Sequence, residues 1–510
     1  MTAPLTATTH VATGKTWENW HESVRQKVVQ LVDVWNAQPN RTSLESYNAA
    51  TSALQRLVKQ ALDEGVGIRA LGGGWSFTPI AATDGILVNT KPLNYQFRLQ
   101  LANLHANYQA RAANLVFAQC GVSISELNTR LFARGKSIRT SGASNGQTIA
   151  GAISTGTHGS AIDGGAIHDS VVALHIVTGP DRHVWLERET NPVVADSLYK
   201  GLGAELVRND AWFDAALVSL GSFGIIHGVV LEVDDLFYLQ EYRRQVDDTP
   251  ATRAAVDELD FTELALGRPA GVRPYFFQAL FNPYQPTGKP HLTVMYREAV
   301  RPAGGHAPSR DNKWRPGDSA AELLAGATDL LSNLTPGLVG ALLKQSYPDM
   351  DGVCGSWGEM FWDTSTRGKL ASSAMGIPLD RARQAITELT QLNQTHQIAG
   401  LFAMRYVKPS RATLAFTRHE DWTCVLEIDG VYSKKMMDFY TAAWARLDAL
   451  GIPLTFHWGK MLPSDPAVFV KGYGQPALDA WRAARRKLLP TPALRTVFEN
   501  QMLKDLELDG

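Results

Sequence analysis

Three consecutive glycines, Gly72 to Gly74, stand between the short run Ile68-Arg69-Ala70-Leu71 and Trp75-Ser76-Phe77. Glycine supplies φ > 0 and lets backbone approach a ligand closely, at an entropic cost. Alone, the stretch reads as a tight turn between strands. Two further segments share its character. One is "SGASNGQTIAGAISTGTHGSAIDGGAIHDSVVALHIVTG", Ser141 to Gly179, and the other is "GSFGII", Gly221 to Ile226. Consecutive backbone N–H groups in turns form anion-binding nests, and Ser or Thr hydroxyls add donors. A pyrophosphate needs several such donors and little side-chain bulk. The spacing is not G-x-G-x-x-G, and "ATDGILVNT" after the first turn reads as another turn and strand. A Rossmann fingerprint is therefore rejected.

Elements can be read around these segments. A helix starts near Ser43 and keeps Leu54, Leu57, Val58 and Leu62 at helical spacing until Gly65 and Gly67 end it. A strand from Leu115 turns at Gly121 into a helix opened by Ser123, with Glu126 three residues on and a stop at Gly135. "VVALHIVTG" reads as a strand, and "LVSLGSFGIIHGVVLEV", Leu217 to Val233, as a small-residue turn and another strand. Residues 1–44 read as a polar lead-in with one amphipathic stretch, "WHESVRQKVVQLVDVWNAQ". Beyond residue 235 come longer polar loops such as "RPAGGHAPSRDNKWRPGDS" and aromatic stretches such as "YFFQALFNPYQ". The tail is helical with a proline break.

Bulk properties narrow the class. A chain of 510 residues exceeds one ordinary core, so two domains are expected. Forty-nine basic residues balance fifty acidic ones, which excludes a basic surface for nucleic acid or an anionic membrane. The local run "RAARRK", Arg482 to Lys487, reads as a solvated helix face. No signal peptide and no membrane span are expected. Cys120, Cys354 and Cys424 are few and scattered. That argues against a disulfide framework or a zinc cluster, so no metal is expected, and it fits a reducing cytoplasm.

The order "RALGGGWSF", "TDGILVNT", "CGVSISELNTRL", "SGASNGQTIAGAISTGTHGS", "FGII" resembles the FAD-binding domain of the vanillyl-alcohol-oxidase superfamily, the PCMH-type flavoproteins. "GIPLTFHWGK", Gly451 to Lys460, resembles the H-W-[GA]-K motif of its aldonolactone and alditol oxidase branch. The resemblance implies an α+β chain. A two-subdomain FAD-binding domain (45–239) would follow the lead-in. A substrate, or cap, domain (240–455) with an antiparallel sheet and flanking helices comes next, and a C-terminal segment (456–510) returns to the flavin. It further implies that Gly72, Gly73, Gly74, Trp75 and Ser76 hold the FAD pyrophosphate. Thr155, Gly156, Thr157 and His158 would line the flavin, with Ser144, Thr148, Gly151 and Ser160 nearby and the Ile226 backbone at the adenine. Trp75 stands where the family's linking histidine often stands. Indole has no basic nitrogen for that bond, so non-covalent FAD is expected, with the Trp75 ring beside the isoalloxazine. His158 is expected to be a hydrogen-bonding wall and not the main base, with a covalent flavin link through it as the lesser alternative.

Oxidising a CH–OH group requires removal of a proton from oxygen, hydride transfer to flavin N5, and a cation near the reduced flavin. By resemblance, Arg405, His457 and Lys460 are the catalytic candidates. Strand alternation would put His457 and Lys460 on opposite faces, whereas a turn at Gly459 would point both inward. The branch grips substrate with a Glu-x-Arg pair. Arg405 matches the arginine, but Ala403 replaces the glutamate, and Glu427 of "VLEIDG" is a candidate to supply that carboxylate from a neighbouring strand. The expected function is an FAD-dependent alcohol oxidase or dehydrogenase acting on a small-molecule alcohol, with oxygen or another acceptor taking the electrons. A bulky-alcohol, sterol-like oxidase and a non-catalytic flavin-binding protein are the alternatives.

Overall fold

The computed structural model describes residues 7–36, 43–285, 289–305, 307–308, 339–340, 347–361 and 367–510. Most of the polar loop from Arg301 to Ser319 lies outside the described residues. The first sheet is four-stranded. It comprises β1 (Thr8–Thr13), β2 (Gln30–Trp35), β3 (Ile68–Leu71) and β4 (Ile86–Asn89), in the order β1-β2-β4-β3. Residues 8–13 and 30–35 are therefore strands of this sheet and not a mere lead-in. Val32 and Val34 point into the core while Leu31 and Asp33 alternate with them, and β2 pairs in parallel with β4. Helix α1 (Ser43–Glu64) covers this sheet, burying Ala50, Leu54, Val58 and Ala61 on one face. It stops where Gly65 takes φ +65°.

The second sheet has six strands: β5 (Gln96–Arg98), β6 (Leu115–Gln119), β7 (Val171–Val177), β8 (His183–Glu187), β9 (Glu205–Arg208) and β10 (Ile225–Glu232). Their order is β9-β8-β7-β10-β6-β5. All seven residues of β7 are buried, as its run of β-branched and apolar residues requires of a central strand. Helix α2 (Ile124–Phe132) opens on the expected capping box. The Glu126 N–H donates to Ser123 Oγ at 3.1 Å, and the Ser123 N–H donates back to Glu126 Oε2 at 2.9 Å. Helix α3 (Ile149–Thr155) is capped by Thr148 and ends at Gly156, whose φ is +81°.

The third sheet is antiparallel throughout and has eight strands. They are β11 (Tyr238–Gln245), β12 (Phe276–Phe281), β13 (His291–Glu298), β14 (Met350–Gly355), β15 (Leu370–Pro378), β16 (Gly400–Val407), β17 (Thr423–Val431) and β18 (Thr455–Phe456). The order is β14-β11-β13-β12-β16-β17-β15-β18. Helices α4 (Ala382–His396) and α5 (Lys434–Ala449) pack on one face, through Ile386, Leu389, Phe439 and Leu447. This is the expected antiparallel sheet with flanking helices.

The C-terminal helix α6 (Gln475–Leu488) returns to the second sheet's domain. Trp481 Nε1 donates to the Val218 carbonyl at 3.0 Å. The run Arg482 to Lys487 is not wholly solvated. Arg485 shares the inward face with Leu478, Trp481 and Leu488, and is fully buried. It can be buried because its guanidinium donates to the carbonyls of Ser222 and Arg495 and pairs with Glu499.

Candidate active site

A cavity of about 1540 Å³, its mouth included, runs between the first two sheets and the third. Its floor is the turn Gly72 to Ser76 after β3 and the Gly142–His158 segment around α3. Its roof is formed by Leu370, Ser372, Arg405 and Glu427 on the third sheet, with His457, Gly459 and Lys460 from the turn after β18. Of the residues expected at the cofactor, Gly72, Gly73, Gly74, Trp75, Ser76, Ser144, Thr148, Gly151, Thr155, Thr157, His158 and Ile226 line this cavity. Gly156 and Ser160 do not. Gly156 ends α3 and faces Phe416. Ser160 is fully buried at the join to the third sheet, where its hydroxyl accepts from the Tyr406 N–H and bonds the Phe277 carbonyl. A sequence motif gives no warning that its last serine has turned away from the cavity its first residues line.

The glycines meet a steric need. A Cβ at Gly73 would sit 2.7 Å from the Trp75 ring and 2.8 Å from the Gly146 carbonyl. One at Gly72 would run into the Thr148 hydroxyl. Gly74 takes φ +72°. Trp75 stacks on Trp20, with ring centroids 5.2 Å apart and planes 6° apart. His21 stacks on Phe77 at 4.0 Å and meets Trp75 edge-on at 5.8 Å. Trp17 and His21 also line the cavity, and sequence reading missed both. Their segment carries no motif, and the hairpin formed by Thr16–Glu18 and Arg25–Lys27 places them there. Burial, helped by the Lys460 charge, pushes the His21 imidazole down to about 4.

The roof carries the charges. Glu427 is buried and pairs with both candidate cations. Lys460 Nζ donates to Oε1, and Arg405 Nε lies 3.1 Å from Oε2. Burial alone would raise the Glu427 carboxyl, but Arg405 and Lys460 hold it well below the usual carboxylate range. The β16–β17 register places Glu427 opposite Ala403, so a carboxylate from the next strand stands beside the position that lacks one. Two residues along β17, Asp429 accepts from the Ser372 hydroxyl, and burial pushes its carboxyl up. The turn at Gly459 brings His457 and Lys460 to the same cavity, with the Lys460 N–H donating to the His457 carbonyl at 3.0 Å. His158 Nδ1 lies 2.9 Å from the Gly159 carbonyl, and its Nε2 lies 3.7 Å from Glu427 Oε1. Burial pushes its imidazole down to about 4 and holds that of His457 well below its usual value.

This arrangement fits FAD. The floor holds Gly72 and Gly73, where a side chain would intrude, and Gln147 Oε1 is a buried acceptor at the cavity with no protein partner. Among the described residues no cluster suits a metal ion, no helix is long and apolar enough to cross a membrane, and the three cysteines are buried and free of disulfides.

Comparison with known proteins agrees. Residues 48–186 match the family model described as an FAD binding domain. The chain is 31% identical over 191 residues to the D-arabinono-1,4-lactone oxidase of Eremothecium gossypii, a match covering 38% of this chain and 31% of that protein. The chain thus spans about a third of the length of such first relatives. An L-gulono-1,4-lactone dehydrogenase of Mycobacterium tuberculosis is 24% identical over 461 residues, covering 88% of this chain and 93% of that one. The crystal structure of cholesterol oxidase from B. sterolicum superposes with a TM-score of 0.67 at 17% identity, covering 99% of both chains. Residues 48–186 are therefore an FAD-binding domain, the chain has homologues among the aldonolactone oxidases and dehydrogenases and shares the fold of cholesterol oxidase, and the cofactor is FAD.

Proposed function

We propose that the chain is an FAD-dependent oxidoreductase that oxidises a CH–OH group of a small-molecule alcohol. The observation that carries this reading is the Arg405–Glu427–Lys460 cluster, built on a buried carboxylate, which faces the same cavity as the glycine cradle. Bound FAD would supply the hydride acceptor. Gly72 to Ser76, Ser144, Thr148, Gly151, Thr155, Thr157 and His158 would hold it. Arg405 and Lys460 put two positive charges against one carboxylate, leaving a surplus positive charge to balance the negative charge that hydride transfer delivers. Glu427 fixes both cations in place and, from β17, offers the substrate the carboxylate that Ala403 cannot. His457 adds a polar group at the same wall.

FAD is held here without a covalent bond, because Trp75 occupies the position of the family's linking residue. Oxygen or another acceptor takes the electrons, and the three unpaired cysteines support a cytoplasmic setting. A bulky, sterol-like alcohol is the second reading. It is favoured by the apolar group Leu280, Leu401, Tyr347 and Val339 that surrounds Ala403 beside the charges. The test is to purify the protein and record its flavin spectrum. Lactones, polyols, hydroxy acids and bulky alcohols are then added without oxygen. Bleaching by at least one class is expected, and a flavoprotein bleached by none would refute the reading.

A further inference from the structure

Two imidazoles face this cavity with their proton positions fixed by backbone atoms. His158 Nδ1 is 2.9 Å from the carbonyl oxygen of Gly159. A carbonyl can only accept, so in the neutral ring Nδ1 carries the proton and Nε2 carries the lone pair. His457 shows the opposite case. Its Nδ1 accepts the Gly459 N–H at 3.0 Å, which leaves the proton on Nε2. The rings lie 5.9 Å apart at 62°, both against Phe416. Both line the cavity. One presents an acceptor there and the other a donor.

We propose that His158 Nε2 is the catalytic proton acceptor of this site, and that His457 Nε2–H is the hydrogen-bond donor facing it. The inference rests on the proposed CH–OH oxidation. The substrate O–H proton passes to His158 Nε2, the C–H leaves with its electron pair as hydride to bound FAD, and the carbon–oxygen bond becomes a carbonyl. The resulting imidazolium faces Glu427 Oε1, 3.7 Å away and too far for a hydrogen bond in the resting site. Burial most of all opposes protonation of His158, joined by Lys460 and His457 from the turn after β18 and Arg405 from β16, whereas Glu427 from β17 and the Gly159 carbonyl favour it. Hydride arrival brings negative charge to the two cations, so the opposition weakens as the reaction proceeds. This assigns to His158 the role of base, against the wall expected from sequence.

Two measurements test it. In ¹⁵N-histidine-labelled holoprotein, His158→Gln and His457→Gln identify the two rings. His158 is expected to show an unprotonated Nε2, and His457 an unprotonated Nδ1, at neutral pH. In anaerobic mixing with whichever alcohol bleaches the wild type, His158→Gln loaded with FAD should be reduced about 10²–10⁴-fold more slowly per bound flavin. Its rate should then climb with hydroxide across pH 6–9, where the wild type stays level. A protonated His158 Nε2, or a loaded His158→Gln variant with the wild-type rate and pH profile, overturns the assignment. In that last case the wild type still bleaches, so the oxidoreductase reading stands. A wild type bleached by no alcohol would instead overturn that reading and this assignment together.

Discussion

Glu427 on β17 lies directly across the strand pair from Ala403 on β16, and its carboxylate is held between Arg405 and Lys460. Cross-strand partners share a face and bring their Cβ atoms within about 4.5–5.5 Å. A glutamate two residues before Arg405 and one opposite it can therefore serve the same cation. Moving the carboxylate back tests this equivalence. Glu427→Ala should slow anaerobic flavin reduction and destabilise the protein by up to about 3–5 kcal/mol, because the buried Arg405 and the partly buried Lys460 lose their partner. Adding Ala403→Glu to that variant should recover part of both losses. A double variant no better than Glu427→Ala would show that the two positions are not interchangeable.

The glycine cradle should tolerate no side chain. Gly73→Val places its Cβ against the Trp75 ring and the Gly146 carbonyl, at the wall of the cofactor cavity. The expected product is folded protein with little bound flavin, read from the ratio of flavin to protein absorbance. Full occupancy would make the turn purely structural.

Acid release of the cofactor follows from Trp75. Precipitation with acid should leave yellow flavin in the supernatant. Colour kept in the pellet would contradict non-covalent binding and direct attention to the cavity-lining imidazoles of His21 and His158.

How much of this could be read from the chain differs residue by residue. Gly72 to Gly74, Thr148 and the Ser123–Glu126 box announce themselves, because turn and cap chemistry is local. Glu427 could be weighed but not placed, since a register between distant strands decides what it faces. Arg485 looked solvated because a basic run says nothing of the carbonyls that wait for one of its members. His21 carries no motif, and only the fold of its hairpin against Phe77 brings it to the cavity. The proton positions on His158 and His457 depend on one carbonyl and one N–H, which no sequence pattern encodes.

Stability should fall on mild acidification. Burial pushes His227 down to about 3, where it bonds Thr51 and Gln119, and pushes His158 and His21 to about 4. Each folded-state value lies below the ordinary 6.5, so the unfolded chain takes up these protons first. The stabilisation is complete above about pH 6.5 and declines as pH falls toward 4, by up to about 1.4 kcal/mol per pH unit for each histidine. The denaturation midpoint measured between pH 7.5 and 5 should drop, and less steeply in His227→Gln. A midpoint flat across that range would contradict the buried neutral state.

Lys460, held by Glu427 in the cavity of the FAD-binding domain, should favour the reduced cofactor. Stopped-flow bleaching of Lys460→Met without oxygen, beside the wild type and with the same alcohol, tests it most directly. Losing one electrostatic donor typically costs about 2.7–4 kcal/mol, or roughly a hundred- to thousandfold in rate. The variant should keep normal flavin content, with reduction slowed by about that factor. Reduction at the wild-type rate in a fully loaded variant would contradict it.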